Sequence, residues 1–511
     1  MSQVEENNAM DVVLINTDSI EPPTAGSDLY ISRGNFYNLN LSNDKPEVSI
    51  YVQAYNRLEK TKKCIEYILE NTRDVNYELI LVDNGSNDGT LEFFKNIEYS
   101  NKKIIRITKN IGANYPFSHI LKAYSTNFLV GIANDVFVTK NWLSNMLKCI
   151  KSDNTIGMVC PMSTNVSNLQ EPVNIKYSSI DDFQKNAKKY NVSDRSKWEQ
   201  RMRLITIGMM FRREMLDLTG ISDYGFFHEF SEDDWCIRIR RAGYKLMLCG
   251  DTVVYHDHDF RNIESKNQIE FEESLRIGRK NYKEKYNGLD AWDDVNNFER
   301  ELIKMMKYTP KSESLSTIGI DVKMGTPILE IKNYLTKRGV ENHYLNAYTT
   351  QAKYYLDLQT ICNGAVYCDR IDHIIDYYNS NTFDYVILGE PINLYKDPIR
   401  IVQKLIEITK SNGNLLIKLR NTFDFKSFLS NIGHGNYVDG DMPVVLSISD
   451  LTECLKIMEV KSINITSVKH DLTRENIEIL RDSVASTNLS NNVDSTIESL
   501  NVFDYLLCIE K

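Results

Sequence analysis

No stretch of this chain approaches the ~18 consecutive apolar residues that a membrane-spanning helix needs, and no two of its nine cysteines stand at C-x-x-C spacing. The first absence excludes a transmembrane enzyme of the helical type. The second removes the spacing expected of zinc ribbons and thioredoxin-like redox sites. Several of the cysteines sit inside apolar runs, as buried free thiols in a reducing compartment do. The N-terminal MSQVEENNAM lacks the basic start and apolar core of a secretory signal, so the expected location is cytoplasmic. Positive charge is also scarce. Sixty Lys and Arg face 70 Asp and Glu, for a net charge of -10. That balance argues against a nucleic-acid partner. It leaves a nucleotide ligand open, because a bound metal ion can neutralise a diphosphate locally. Short internal repeats and low-complexity blocks are absent too.

What is present is ordinary in bulk: 511 residues, 42% hydrophobic and 25% charged, the composition of a globular protein with room for several domains. Residues 1–45 carry few strong apolar patterns and contain Pro22-Pro23, which predicts a loosely attached N-terminal arm. From Glu47 the texture alternates. VSIYVQAYN, YELILVD, KKIIRITKN and NFLVGIAND read as strands, with helical spacing over Leu58–Asn71, TLEFFKNI and Phe117–Tyr124 between them. Such alternation implies a parallel sheet covered by helices, here over residues 46–262. Residues 263–312 are charged and free of strand signals, and read as a helical linker ending near Pro310. A second alternation fills 313–511, from STIGIDV to a last strand, VFDYLLCIEK.

The chemistry lies where apolar runs stop at polar side chains. YELILVD ends at Asp83, before NGSNDG; FLVGIA ends at Asn134-Asp135. Buried strands end this way when they deliver groups to a cleft. Asp83 could accept the imide N–H of a uracil, or close the strand through an Asx-turn. Asp135 suits a metal ligand; as a helix cap it is less well placed than Thr139 or Asn141. Glu232, Asp233 and Asp234 open the helix-like WCIRIRRAGYKL, which Gly243 should end. One or two acids there would favour the helix dipole. Three repel one another and raise a carboxylate pKa, as a general base requires. His256 and His258 stand at alternate positions after TVVY, on one face of a strand, which suits a metal or phosphate contact.

Taken together, Glu47 to about Phe260 resembles the family-two glycosyltransferases of GT-A fold. The match runs in segment order through VSIYVQAYNR, YELILVDNGSNDGT, TKNIGANYPFSHIL, FLVGIANDVFVTKNWL, SEDDWCIRIRRAGYKL and DTVVYHDHDF. The resemblance implies a UDP-sugar donor near Tyr55, Asn56, Arg57, Asp83, Gly85, Asn110, Asn114, Asn134 and Asp135. It implies Mn²⁺ or Mg²⁺ at Asp135 with His256, His258 being the alternative, and a base among Asp233, Glu232 and Asp234. The first acid of the family's Asp-x-Asp is Ala133 here. Counting back from Arg238 puts the base at Glu232, whereas residue identity puts it at Asp233; Asp233 is the preferred assignment and Glu232 its rival. The second half resembles class I S-adenosylmethionine-dependent methyltransferases, most closely over Phe383–Asn421. Its IGIDVKMGTPIL offers only Gly319 and Gly325 where a glycine-rich cofactor loop belongs. A methyltransferase-type domain without bound S-adenosylmethionine, serving as an interaction surface, is therefore expected. Two-domain chains of this kind resemble bacterial protein glycosyltransferases, including those that act on flagellin. That implies an inverting transfer, with UDP-N-acetylglucosamine as one candidate donor. The acceptor would be a Ser or Thr hydroxyl, with a polysaccharide or lipid-linked glycan as rival. A non-catalytic scaffold and a bifunctional transferase-methylase are the alternatives of class.

Overall fold

The computed structural model describes residues 12–15, 46–112, 116, 126–172, 174–220, 223, 226, 229–258, 265–307, 314–426, 444–486 and 492–511. The chain forms two compact units, Met1–Asn296 and Asn297–Lys511. The segment read as a linker is therefore divided between them. Ser265–Lys285 is a helix of the first unit, and a short helix, Arg300–Lys304, belongs to the second.

The first unit is built on a ten-stranded sheet. Its strands are β1 (Val12–Ile15), β2 (Val48–Ala54), β3 (Tyr77–Asn84), β4 (Lys102–Ile107), β5 (Phe128–Ala133), β6 (Val136–Phe137), β7 (Ile156–Ser163), β8 (Trp198–Arg201), β9 (Met210–Arg212) and β10 (Lys245–His256). They run in the order β1-β4-β3-β2-β5-β9-β7-β10-β6, with β8 also paired to β10. The first five strands of that order are mutually parallel, and β7 and β10 are parallel to each other. Both faces are covered, which is why the strands read as continuous apolar runs. The Leu58–Asn71 helix buries Thr61, Cys64, Ile65 and Ile68 on one face. These pack into a core with Val48, Ile50, Val52, Leu79, Leu81 and Trp142. On the other face the helix Ser231–Arg241 sets Trp235, Cys236 and Ile239 against Ile80, Val82, Leu246 and Leu248.

Two local expectations change. The N-terminal arm contributes β1, whose VVLI pairs with Ile104–Ile107 at the sheet edge. Four apolar residues among polar ones gave little periodicity to read, and their partner strand lies far along the chain. Neither Thr139 nor Asn141 caps the Trp142–Lys151 helix by its side chain. Asn141 holds the cap position in a left-handed conformation, and the Thr139 hydroxyl donates to the Val253 carbonyl instead. The expected helix Phe117–Tyr124 lies outside the described residues.

The second unit carries β11 (Leu315–Ile320), β12 (His343–Thr349), β13 (Val366–Cys368), β14 (Phe383–Leu388), β15 (Thr409–Arg420), β16 (Ser462–Lys469) and β17 (Val502–Glu510). Their order is β13-β12-β11-β14-β15-β17-β16. The first five are parallel, and β17 runs antiparallel to both neighbours. This is a second Rossmann-like unit. Its switch point, where β11 leads to β12 on one side and β14 on the other, is the place such sheets hold ligands. Here the Tyr395 hydroxyl donates to Asp321 Oδ2 at 2.7 Å, and Asp321 Oδ1 accepts from the Thr350 amide at 2.6 Å. Lys323 holds a left-handed φ of 53° in the loop between Asp321 and Gly325. A Cβ on Gly389 would stand 2.3 Å from the Asp321 carbonyl, so the two strand ends are in close contact.

Candidate active site

The parallel strands β2, β3 and β5 end at one sheet edge, because Ala54 is in register with Asp83, and Gln53 with Ala133. The residues after those ends are tied together by polar contacts. Asn56 and Arg57 are both left-handed, which turns the chain sharply out of β2 and into the Leu58–Asn71 helix. The Asn56 amide donates to Ser86 Oγ at 2.9 Å, and Asn56 Oδ1 accepts from the Asn87 amide at 3.0 Å. Asn134 Nδ2 donates to the Asn56 carbonyl at 3.0 Å and to Thr61 Oγ1 at 2.9 Å. The helix itself is capped from the neighbouring loop, where Asp88 Oδ2 accepts from the Leu58 amide at 2.8 Å.

Asp83 is fully buried at this edge. One oxygen accepts from the Ser86 amide at 2.8 Å, and the other pairs with Arg106 from β4. Arg106 in turn donates to the Ser86 carbonyl at 2.9 Å. The carboxylate thus closes the turn and neutralises a cation, the structural role that the sequence left open. Gly85, with φ 86°, brings the turn so close to the next loop that a Cβ would meet the Asn110 nitrogen at 2.5 Å. Asn110 itself is exposed and accepts from Asn84 Nδ2 at 3.0 Å. Tyr55 is exposed beside the strand ends. Asn114 lies outside the described residues.

Asp135 stands two residues beyond β5, next to the exposed Ala133. The β6–β10 pairing sets His256 opposite Val136, and the Asp257 amide donates to the Asp135 carbonyl at 2.8 Å. This brings two segments far apart in sequence to one point. His256 Nε2 lies 3.8 Å from Asp135 Oδ1, and His258 Nδ1 lies 3.8 Å from Asp135 Oδ2. The two imidazoles are nearly parallel, 5.3 Å apart. Arg57 Nη1 approaches Asp135 Oδ2 at 3.4 Å. Burial would raise the Asp135 pKa, but the nearby His258, His256 and Arg57 outweigh it and hold the acid ionised. Burial lowers the His256 pKa against the pull of Asp135, which favours the neutral ring that can ligate a metal. One ligand atom from each of Asp135, His256 and His258 can be chosen so that all lie within 4.8 Å of one another. One carboxylate and two imidazoles suit a divalent first-row ion.

The three acids of 232–234 differ sharply. The Ser231–Arg241 helix is followed directly by β10 and packs against it, so its N-terminus points back toward the edge where β10 ends. Asp234 is fully buried and accepts from Tyr286 Oη and Lys285 Nζ, both at 2.6 Å, and from Arg238 Nε at 2.9 Å. Those contacts anchor the helix. Asp233 is buried against Arg203, whose Nε lies 2.6 Å from Oδ1. Glu232 is half-buried. Burial, then the charges of Asp233 and Glu229, push its pKa up to about 7, with Arg203 opposing. The bracing side chains Lys285, Tyr286 and Trp292 come from residues that the sequence assigned to a linker. No local pattern marks them, because their packing against Phe230 and Asp234 is a tertiary contact.

Residues 49–219 match the family model described as glycosyl transferase family 2. The matched stretch lies within the first unit. The chain is 25% identical over 218 residues to the glycosyltransferase AglE of Haloferax volcanii, a stretch covering 41% of this chain and 67% of AglE. It is 26% identical over 221 residues to the uncharacterized protein y4gI of Sinorhizobium fredii, covering 41% of this chain and 24% of that protein. The match to y4gI thus spans about a quarter of that relative's length. Among solved structures, the mannosyltransferase PcManGT of Pyrobaculum calidifontis, in complex with GDP-Man and Mn²⁺, is similar at 17% identity with a TM-score of 0.35. That likeness covers 60% of this chain and 78% of PcManGT.

Proposed function

We propose that this protein is a metal-dependent inverting glycosyltransferase that moves a sugar from a UDP-sugar to a hydroxyl acceptor. The observation that carries the reading is the Asp135–His256–His258 cluster at the strand ends of a family 2 domain. A divalent ion held there would supply charge neutralisation for the diphosphate leaving group. Arg57 adds a cation beside the same carboxylate. Tyr55, Asn56 and Asn134 shape the edge on which the nucleotide lies, with Gly85 and Asn110 behind them. Asp83 acts here through Arg106 and the Ser86 turn, holding that edge rigid.

Glu232 is the general base in this reading. Its pKa near 7 matches a group that must be ionised before transfer and must accept a proton during it. It takes the proton of the acceptor hydroxyl while the oxygen attacks the anomeric carbon. The bond from that carbon to the diphosphate breaks, and UDP leaves. Asp233, committed to Arg203, sets the charge beside Glu232, and Asp234 anchors the helix.

UDP-N-acetylglucosamine is the proposed donor. A Ser or Thr hydroxyl of a bacterial protein such as flagellin is the proposed acceptor. The protein acceptor is proposed from the resemblance of the two-domain chain to bacterial protein glycosyltransferases. The test is UDP release from a panel of UDP- and GDP-sugars, with Mn²⁺ and with EDTA. Acceptors would be Ser/Thr peptides in one arm and glycans in the other. Metal-dependent turnover of a UDP-sugar is expected. Transfer only to glycans would replace the protein acceptor, and no turnover of any donor would overturn the function.

A further inference from the structure

The three candidate metal ligands are not equally well fixed. His256 is the last residue of β10 and is held by the sheet ladder opposite Val136. Its amide donates to Thr164 Oγ1 at 2.9 Å, and its carbonyl accepts from Asn165 Nδ2 at 2.9 Å. His258 lies two residues past the end of that strand. Asp257, between the two histidines in sequence, donates its amide to the Asp135 carbonyl. From the opposite side comes Lys60, in the first turn of the Leu58–Asn71 helix. Lys60 Nζ donates to the Asp257 carbonyl at 2.6 Å and lies 3.0 Å from Asp257 Oδ2. The helix that Arg57 leads into, and from which Asn134 accepts support through Thr61, therefore also grips the ligand-bearing segment.

We infer that Lys60 is a positioning residue for the metal centre: it clamps Asp257 so that His258 is presented beside Asp135 and His256. The inference rests on the reading of those three residues as metal ligands. Two roles for Lys60 predict opposite signs. As a bystander cation it repels a divalent ion, so its removal would tighten metal binding. As a clamp it sets ligand geometry, and loss of such an outer contact weakens metal binding by about 10- to 100-fold. Geometry favours the clamp, because the ammonium is spent on the carbonyl and the carboxylate of one residue. The Lys60–Asp257 pair is about one-third exposed on both sides, and such pairs add little to global stability. A variant should therefore fold.

The test is Mn²⁺ binding to the full chain, followed by the EPR signal of free ion. Lys60→Met should raise the Mn²⁺ dissociation constant about 10- to 100-fold, and Lys60→Arg should recover most of the loss. In a His258→Ala background, Lys60→Met should add less than about twofold, since the residue it positions is gone. Unchanged or tighter Mn²⁺ binding by Lys60→Met would overturn the clamp while leaving the metal site in place. Full additivity of the two substitutions would also overturn it. Failure of the unaltered protein to bind Mn²⁺ would remove the metal reading itself, a separate and recognisable outcome.

Discussion

Replacing Glu232 by Gln should slow the enzyme and stabilise it at once, and the two effects are linked by one carboxylate. The folded protein holds Glu232 near pKa 7 against an ordinary value of 4.5. A raised carboxylate pKa means that the folded state resists ionisation. Its contribution to stability is fully present below about 4.5, where folded and unfolded chains are both protonated. It is lost as pH rises through about 7. At about 1.4 kcal/mol per unit, the shift from 4.5 to about 7 corresponds to roughly 3 kcal/mol at most. Partial exposure of Glu232 and screening reduce this to an expected 1–2 kcal/mol, on the order-of-magnitude scale of such terms. Gln cannot ionise, so the variant should gain that amount at pH 8 and nothing near pH 4.5. Loss of the base should lower kcat by about 10²- to 10⁴-fold. The assays are denaturant unfolding at several pH values and UDP release with Mn²⁺. A variant that keeps wild-type turnover would remove Glu232 from the chemistry. A stability difference independent of pH would show that its carboxylate is not strained in the folded state.

Four further outcomes are expected. Asp135→Ala should weaken Mn²⁺ binding by at least about 100-fold, and Mg²⁺ should support less activity than Mn²⁺ in the unaltered protein, because two imidazole donors suit Mn²⁺ better. Full activity of the variant in saturating Mn²⁺ would refute the ligand assignment. Gly85→Ala should destabilise by about 2 kcal/mol or more in denaturant unfolding, since its Cβ would meet the Asn110 nitrogen at 2.5 Å and its φ is 86°. A change below about 0.5 kcal/mol would mean the two loops part easily. Titration of S-adenosylmethionine into the protein in a calorimeter should give no saturable heat, because Tyr395, Asp321 and the Gly389 contact occupy the switch point of the second sheet. Micromolar binding would restore a bifunctional reading.

The strand and helix pattern of both units was written locally. VSIYVQA, YELILVD and FLVGIA are buried on two faces and therefore nearly continuous in apolar residues, and Leu58–Asn71 repeats its buried positions at helical spacing. Two successive α/β units were legible for that reason. So was the chemistry of the strand ends, since acids and amides directly after apolar runs are costly unless the chain has turned out of the sheet. The sequence could not apportion roles among neighbours of like character. Asp233 and Glu232 are adjacent acids. Only the arrival of Arg203 at Asp233 leaves Glu232 as the half-buried group of raised pKa. For Asp83 the sequence left a uracil contact and a turn-closing role open, and its partner Arg106 comes from a strand 23 residues later. His258 and Lys60 likewise acquired their places from contacts across |i−j| of 123 and 197 residues, to Asp135 and Asp257. Periodicity records what a residue does within its own turn or strand. A charge finds its partner through the packing of the whole sheet.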